Sequence, residues 1–515
     1  MTIAPVGSGS LRSGDEHDAD LLAHVHPGDW KNPVPAPSYN LVVIGAGPAG
    51  LVIATGAAAL GARVALVEKN LMGGDCLNVG CVPSKALLRS ALFYADLRRA
   101  AEYGGESPEP HDIDFGKAME RMRRIRAHIG HQDSARKLSE LGVDVFFGEA
   151  AFAGPRSVRV AGATLNFSKA AIATGARAAA PSIEGLAEAG YLTNETVFNL
   201  TERPDRLLVI GGGPLGCEIA QAFARLGSAV TIAQNDLFFL ANEERDAAEL
   251  LAQSLARDGI QVRLNTEVTK VSLEDGVRRV HLVSYDQESV VTVDQILVGV
   301  GRIPNVEGLD LEAAGVTYDP EKGVHVDDFL RTSNRRIYAA GDVALEHKFT
   351  HVADATGRIV VENALFLGRK RLSALTIPWC TYTDPAIAHV GIYVREARER
   401  GIPVETFTVP MSEVDRAITD SEEDGFAKIH VRQGTDRILG ATVVARHAGE
   451  MINEITLAMV AGIGLATVSR VIHSYPTQAE AIRKAADAYS RTRLTPFWKK
   501  VAARWLAWSR FGDTA

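Results

Sequence analysis

Cysteine is scarce, with four in 515 residues. That is too few to staple an extracellular framework, so the thiols present read as packing or as intracellular chemistry. Positive charge is also in deficit: 55 lysines and arginines face 63 acids, a formal net charge of −8. The chain therefore lacks the global positive field that gathers nucleic acid, and no nucleic-acid partner is expected. No basic start followed by an apolar core opens it, so no secretory signal is expected and the compartment predicted is the cytoplasm. The uncharged stretch 41–62 reaches transmembrane length, yet it carries Gly45, Gly47, Pro48, Gly50, Gly56 and Gly61. These residues suit a buried strand, turn and helix better than a lipid-facing span.

What is present is ordinary for a soluble chain, 46% apolar and 23% charged residues, in a length that suggests three or four domains. Residues 1–38 hold five prolines and five acids without an apolar period, and are expected to form a disordered or loosely docked arm. From Tyr39 a buried strand leads into Gly45-Ala-Gly47-Pro-Ala-Gly50, an alanine-rich helix and a second strand that ends at Glu68. The pattern returns 166 residues later, with a strand from Arg206, the turn Gly211-Gly-Gly213-Pro-Leu-Gly216, a helix, and a strand that ends at Gln234. A repeated strand, glycine turn, helix and strand predicts two dinucleotide-binding domains. Between them, Arg121, Arg123, Arg124 and Arg126 read as the solvated face of a helix. After Thr376 the composition shifts toward a separate α+β domain.

The glycines permit a tight turn and close approach of a pyrophosphate to a helix N-terminus. In the first copy, Glu68 stands where an acid accepts the ribose hydroxyls. In the second, Gln234 is followed by Asn235 and Asp236, so neither the glutamate that favours a free 2′-hydroxyl nor the arginine that favours a 2′-phosphate is in place. NADH and NADPH both stay open.

A third signal is Gly73-Gly-Asp-Cys76-Leu-Asn-Val-Gly-Cys81-Val-Pro-Ser-Lys85, which runs into an apolar helix. Pro83 suits a first helical turn, which puts both thiols at or before a helix N-terminus, where the dipole stabilises thiolate. Lys85 adds positive charge. Cys217 and Cys380 read as packed residues.

These segments, with Ala173-Thr-Gly175, Gly299-Val-Gly301-Arg-Ile-Pro304, Ala339-Ala-Gly-Asp342 and Thr383-Asp-Pro-Ala-Ile-Ala-His-Val-Gly391, resemble the class I pyridine nucleotide-disulfide oxidoreductases from Tyr39 to Ala488. That family includes glutathione reductase, dihydrolipoamide dehydrogenase and mercuric ion reductase. The resemblance implies an α/β fold of two Rossmann-like dinucleotide-binding domains plus a C-terminal α+β dimerisation domain. The FAD-binding part would cover 39–182 and 306–374, the NAD(P)-binding domain 183–305 and the dimerisation domain 375–489. FAD would bind Gly45, Gly47, Gly50 and Glu68, with Gly175 and Asp342 completing its site, and NADPH or NADH would bind Gly211, Gly213, Gly216, Gln234 and Gly301. Cys81 would face the flavin, Cys76 would meet substrate, and Lys85 would pair with Glu218. No resident metal is implied. A homodimer is expected, with Tyr475 and Glu480 acting in trans.

The departures bear on substrate. Disulfide reductases resemble one another in a His-Pro-Thr segment whose histidine serves the outer thiol; here the segment is His473-Ser-Tyr475-Pro476-Thr-Gln-Ala-Glu480. A phenol with a pKa of about 10 does not take up a thiol proton at neutral pH, which leaves His473 as the candidate substitute. Mercuric ion reductases have a tyrosine near this place, but they also have a C-terminal cysteine pair, and this chain has no cysteine after Cys380. The expected activity is mercuric-reductase-like reduction of a metal ion or a thiol or disulfide acceptor. Dihydrolipoamide dehydrogenase is the alternative within the class, and a flavin-bearing redox sensor without turnover is the alternative outside it. The tail 490–515 holds three of the five tryptophans among lysines and arginines. It is expected to form a basic amphipathic helix that packs on the dimer or, failing that, touches a membrane surface.

Overall fold

In the computed structural model, which describes residues 14–106 and 113–510, the first described element is a docked helix, α1 (Glu16–Val25), inside the segment expected to form a disordered or loosely docked arm. Residues 1–13 of the expected arm lie outside the described residues. Asp15 caps α1 by accepting the amide of Asp18 at 2.9 Å. Leu21 and Val25, one turn apart, are fully buried, and the helix stops just before Pro27.

A parallel sheet follows. The strand β1 (Tyr39–Ile44) pairs with β2 (Val64–Glu68) on one side and with Ala163–Ile172 on the other. Beyond β2 lies β3 (Val143–Phe147), and beyond the long strand lies Ile337–Ala339. Leu41 to Ile44 are all buried, which is why β1 reads as a continuous apolar run and not as an alternation. The turn after β1 feeds α2 (Pro48–Ala59). The helix Thr350–Leu365 crosses α2 closely at Gly357, where a Cβ would stand 3.0 Å from the Ala49 carbonyl oxygen.

After β2 come α3 (Gly74–Asn78), α4 (Cys81–Arg98) and α5 (Phe115–Gly130). Only Arg124 of the arginine cluster is exposed, so the solvated-face reading is corrected. Arg126 is fully buried and forms an ion pair with Asp18 at 2.6 Å, the buried Arg123 joins Asp15, and Arg121 donates to the Ala86 carbonyl at 2.9 Å. The two acids that neutralise Arg123 and Arg126 each lie 108 residues upstream, so the local clustering of charge gave no sign of burial.

The second nucleotide-binding sheet is also parallel, in the order Gln261–Arg263, Ala229–Ala233, Arg206–Ile210, Gln295–Val298. A three-stranded antiparallel sheet spanning Thr266–Glu274, Val277–Ser284 and Gln287–Val293 supplements it. These parts form one compact unit, up to Leu240 and from Leu255 to Leu375.

The other unit gathers Ala241–Ser254 and the residues from Thr376 onward. Its antiparallel sheet runs Pro378–Thr381, Ala386–Gly391, Ile438–Ala445, Phe426–Arg432, Val404–Pro410. Helices Ala448–Val460 and Glu480–Thr492 share its core through Ile452, Ile455, Ile482 and Ala485. The segment 241–254 belongs here because Glu243 accepts from Tyr393 at 2.7 Å and from Trp379 at 3.2 Å, while Glu244 pairs with His430 at 3.0 Å. The tail helix Pro496–Ser509 buries none of its residues.

Candidate active site

Two glycine turns build matching cradles. Gly45 has φ +99° and Gly211 φ +101°, and a Cβ at either would stand 2.4 Å or 2.5 Å from a carbonyl oxygen, of Ala173 and Gly299 respectively. Gly50 and Gly216 let the helix close onto the turn, since a Cβ there would meet the Gly45 or Gly211 oxygen at 1.8 or 2.1 Å. Gly47 and Gly213 cap their helices without any side-chain hydrogen bond, and Pro48 and Pro214 follow at the first helical positions. The orphan amides of both first turns are thus left for an anion, and at Gly213 no atom stands within 4 Å of where a Cβ would be. Both cradles fit the pyrophosphate of a dinucleotide.

The acid and the amide at the strand ends occupy equivalent places. Glu68 accepts from the Ala46 amide at 2.7 Å and from the Asn70 amide at 2.7 Å, and burial pushes its carboxyl up. Each oxygen keeps a second lone pair. Gln234 accepts from the Gly212 amide at 2.5 Å and donates to Asp236. Glutamine thus braces the second turn as glutamate braces the first, without the charge. Gly175 and Gly301, at φ +68° and +126°, are open around the missing Cβ. Asp342 lies on the short turn Gly341–Val343, its carboxyl raised by burial, with Arg302 at 3.7 Å also joined to Asp75.

The dithiol sits where α3 gives way to α4. Cys81 is the first residue of α4 and Cys76 lies within α3. The Cys81 sulfur stands 3.3 Å from the hydroxyl of Thr350, which opens the helix Thr350–Leu365. A hydrogen bond from Cys76 brings the Cys81 thiol down to about 6, aided by Thr350 and the positive charge of Lys85. The same hydrogen bond, together with burial, pushes Cys76 far up. The reduced pair thus holds one proton, on Cys76, above pH 6. Lys85, one turn along α4, donates to the buried Glu218 at 2.7 Å. Thr350 was not found from the sequence, because it meets Cys81 only across 269 residues.

A pH dependence follows. Because the Cys81 value is lowered, thiolate predominates above pH 6, and alkylation of the reduced protein at Cys81 is expected to rise with a midpoint near that pH. Lys85→Met should move the midpoint upward; an unchanged midpoint, read by mass spectrometry of trapped peptides, would remove Lys85 from the account.

The residues His473, Tyr475 and Glu480 lie together in the second unit. Tyr475 is exposed and donates to Asp415 at 2.8 Å, which pushes the phenol above its ordinary value. His473 has Nε2 at 2.9 Å from Glu454 and Nδ1 at 3.1 Å from the Val471 carbonyl. Both partners are oxygen acceptors, so each ring nitrogen already has a hydrogen-bonding neighbour within its own unit. Glu480 is buried, paired with Arg483 at 2.8 Å, and its Oε2 has no hydrogen-bond partner among the described residues. Cys217 is buried behind the second turn, 3.4 Å from the Gly212 carbonyl, and burial raises its thiol; Cys380 packs against the core of the second unit.

Comparison with known proteins agrees with this construction. Residues 39–357 match the pyridine nucleotide-disulphide oxidoreductase family and 377–486 its dimerisation domain. The mercuric reductase of Staphylococcus aureus is 34% identical over 88% of this chain and 83% of its own length. The dihydrolipoyl dehydrogenase of Thermus scotoductus is 36% identical over 88% of this chain and 97% of its own length. Among solved structures, the HOCl-induced flavoprotein disulfide reductase RclA of Escherichia coli superposes with a TM-score of 0.79 at 30% identity, over 87% of this chain and 99% of that one. Its Cu(II) complex, solved separately, superposes equally well at 29% identity, over 88% of this chain and 100% of that one. The chain belongs to the class I pyridine nucleotide-disulfide oxidoreductases, flavin-dependent enzymes that use FAD and NAD(P)H.

Proposed function

We propose that this enzyme passes electrons from NADPH or NADH to a metal ion bound as a thiol complex, in the manner of a mercuric reductase. The observation that carries the reading is the residue at the outer thiol's expected partner: Tyr475 is a phenol held on Asp415 and pushed above its ordinary value, and His473 is engaged with Glu454 and the Val471 carbonyl. Disulfide exchange releases a thiolate that must be protonated and needs a base that cycles. Exchange of a thiol ligand on a metal ion needs none, because the ligand thiolate that leaves takes up the proton that Cys76 gives up. The mercuric reductases among its relatives, and the Cu(II) complex of the E. coli protein, support the same class of acceptor.

FAD held in the first cradle would supply hydride acceptance from the nicotinamide and two-electron transfer to the disulfide. The chain's own residues do the rest. Gly45, Gly47, Gly50 and Glu68, with Gly175 and Asp342, hold the FAD, and Gly211, Gly213, Gly216, Gln234 and Gly301 the nicotinamide nucleotide. Lys85 and Glu218 keep a fixed charge pair next to the dithiol. Cys81 stays anionic through Thr350, Lys85 and the Cys76 hydrogen bond, and Cys76, as the outer thiol, meets the acceptor. For Hg(II) the balance is two electrons, with NAD(P)H going to NAD(P)+ and a proton while Hg(II) goes to elemental mercury. In the homodimer that the dimerisation domain supports, Tyr475 and Glu480 of one subunit complete the site of the other.

The test is oxidation of NADPH and of NADH by the purified holoenzyme with thiol-complexed Hg(II). Metal-dependent turnover supports the reading. Clean reduction of the flavoprotein without turnover would move the acceptor to low-molecular-weight disulfides or quinones, and would make the missing cysteine pair after Cys380 the reason. The 36% identity to a dihydrolipoyl dehydrogenase favours dihydrolipoamide as the second substrate to try; its oxidation with NAD+ should be slow without a histidine base.

No helix among the described residues is long and apolar enough to cross a membrane, and we place the enzyme in the cytoplasm. The tail helix exposes Phe497, Trp498, Trp505 and Trp508, and residues 490–510 hold six lysines and arginines and no acid, in a chain of net charge −8. We assign its aromatic face to the other subunit. Truncation of 490–515 should weaken the dimer in sedimentation, and the full-length enzyme should not float with anionic vesicles; flotation lost on truncation would assign the face to a bilayer instead.

A further inference from the structure

We infer that the N-terminal helix carries a binding site for a borderline divalent cation of the Zn(II) or Co(II) type, formed by Asp20 and His24 on α1 and His131 just after α5. It replaces the expectation of a chain without a resident metal site. Asp20 and His24 are four residues apart and so share one face of α1. His131 opens the short turn that follows α5. The His24 Nε2 stands 3.5 Å from one oxygen of Asp20, and the His131 Nε2 stands 3.3 Å from the other. One ligand atom from each residue lies within 4.8 Å of the others.

Those separations have a chemical meaning. Four ligands at about 2.0–2.1 Å from a tetrahedral ion stand roughly 3.4 Å from one another. The two Asp20 contacts, each through a different carboxylate oxygen, have that length, and with one ligand atom from each residue the three stay within 4.8 Å. The imidazole rings of His24 and His131 are tilted by 37° with centroids 3.8 Å apart, and His128 stands beside His131 at 6.2 Å. Two imidazoles and one carboxylate select Zn(II), Co(II), Ni(II) or Cu(II) over the hard ions, which prefer all-oxygen sets, and over soft ions, which prefer thiolates. Asp20 and His131 are exposed and His24 is half-buried, so the ion has an entry path and an open position for water.

The ligands are also held in place before any ion arrives. Asp18 and Asp15, on the same helix or at its cap, are fixed to Arg126 and Arg123 of α5, the helix that leads directly to His131. Cation binding therefore requires little reorganisation. Asp20 and His24 precede residue 39, where the family match begins, while His131 lies within it, so the site joins an N-terminal addition to the shared framework. It also has a neighbour of consequence: the Val25 carbonyl at the end of α1 accepts from the Met72 amide at 3.1 Å, and His26 contacts the Asn70 carbonyl. A cation that ties α1 to the end of α5 thus steadies the loop leading to Cys76. The site is independent of which acceptor the dithiol serves.

The competing description is a carboxylate shared by two imidazoles with no affinity for metal. To separate them, the oxidised holoenzyme, whose Cys76–Cys81 disulfide removes both thiols as ligands, is titrated with Co(II) alone and followed by visible d–d absorption, with Zn(II) competition. One Co(II) per chain, displaced by Zn(II), is expected. His24→Gln and His131→Gln should each weaken binding by roughly tenfold or more, while flavin content and NADPH oxidation with ferricyanide stay unchanged. Absence of Co(II) bands in the wild-type protein overturns the proposal whatever the variants do, and so does binding at wild-type strength in either variant. Should a variant fail to fold, histidine imidazole signals that shift or broaden one-for-one with added Co(II) in the wild-type protein decide the matter; no such shift is a negative.

Discussion

Cys76→Ala is expected to abolish metal-dependent NAD(P)H oxidation, with a loss of roughly a thousandfold or more, the scale on which removal of a nucleophile acts. The reason lies in the division of labour between the thiols. Cys76 keeps its proton because the hydrogen bond to Cys81 and its own burial push it up, and Cys81 is anionic above pH 6. Without Cys76 there is no disulfide to receive electrons and no outer sulfur to take a metal ion from its thiol ligands. Cys81 also loses the donor that contributes most to its low value, so its titration should move upward even though Thr350 and Lys85 remain. The variant should still bind FAD, since the first cradle contains neither cysteine. It should still be bleached by NADPH, since the second cradle is untouched. Substantial Hg(II)-dependent turnover in Cys76→Ala would show that the acceptor is reduced elsewhere on the protein, and the proposed function would fall with it.

Much of this site is legible in the chain because its parts are local. A glycine turn, its helix and the strand end that braces it lie within about thirty residues, and the chain repeats them. The cysteines, Pro83 and Lys85 share one segment. The rest depends on partners that local pattern does not reveal. Thr350 reaches Cys81 across 269 residues. His473 meets Glu454 19 residues away as well as the nearby Val471 carbonyl, and the first of these is a contact that the spacing of its own segment does not show. At the N-terminus the prolines at 27, 33, 35 and 37 dominated the composition and hid a ten-residue helix just upstream. Asp15 as a cap, with Leu21, Leu22 and Val25 at helical spacing, was the signal available. The arginines of α5 failed for a related reason: the face they share with buried Met119 and Met122 becomes an interior only once α1 is known to cover it.

That covered face supplies the second large effect. Arg126→Met is expected to destabilise the first unit by about 3–5 kcal/mol, the usual consequence of stranding one member of a buried ion pair. Arg126 is fully buried, Asp18 nearly so, and their contact is 2.6 Å. Methionine fills much of the volume but leaves the Asp18 carboxylate without its cation in a place water does not reach. The double variant Asp18→Asn/Arg126→Met should recover most of the loss, because it removes the stranded charge together with its partner. A merely steric role would leave the single and double variants equally unstable in thermal denaturation. The consequence extends to the redox loop. Arg126 also donates to the Asn78 carbonyl at 2.8 Å, and the Asn78 side chain donates to the carbonyls of Met72 and Gly74 at 3.0 and 2.8 Å. Asn78 ends α3, the helix that carries Cys76. The single variant should therefore shift the midpoint of Cys81 alkylation at temperatures where the protein remains folded, and the double variant should shift it too, since neither restores the bond to Asn78. Stability that recovers while the thiol titration does not would separate the two tasks of Arg126: neutralising Asp18, and holding the end of the cysteine helix in register.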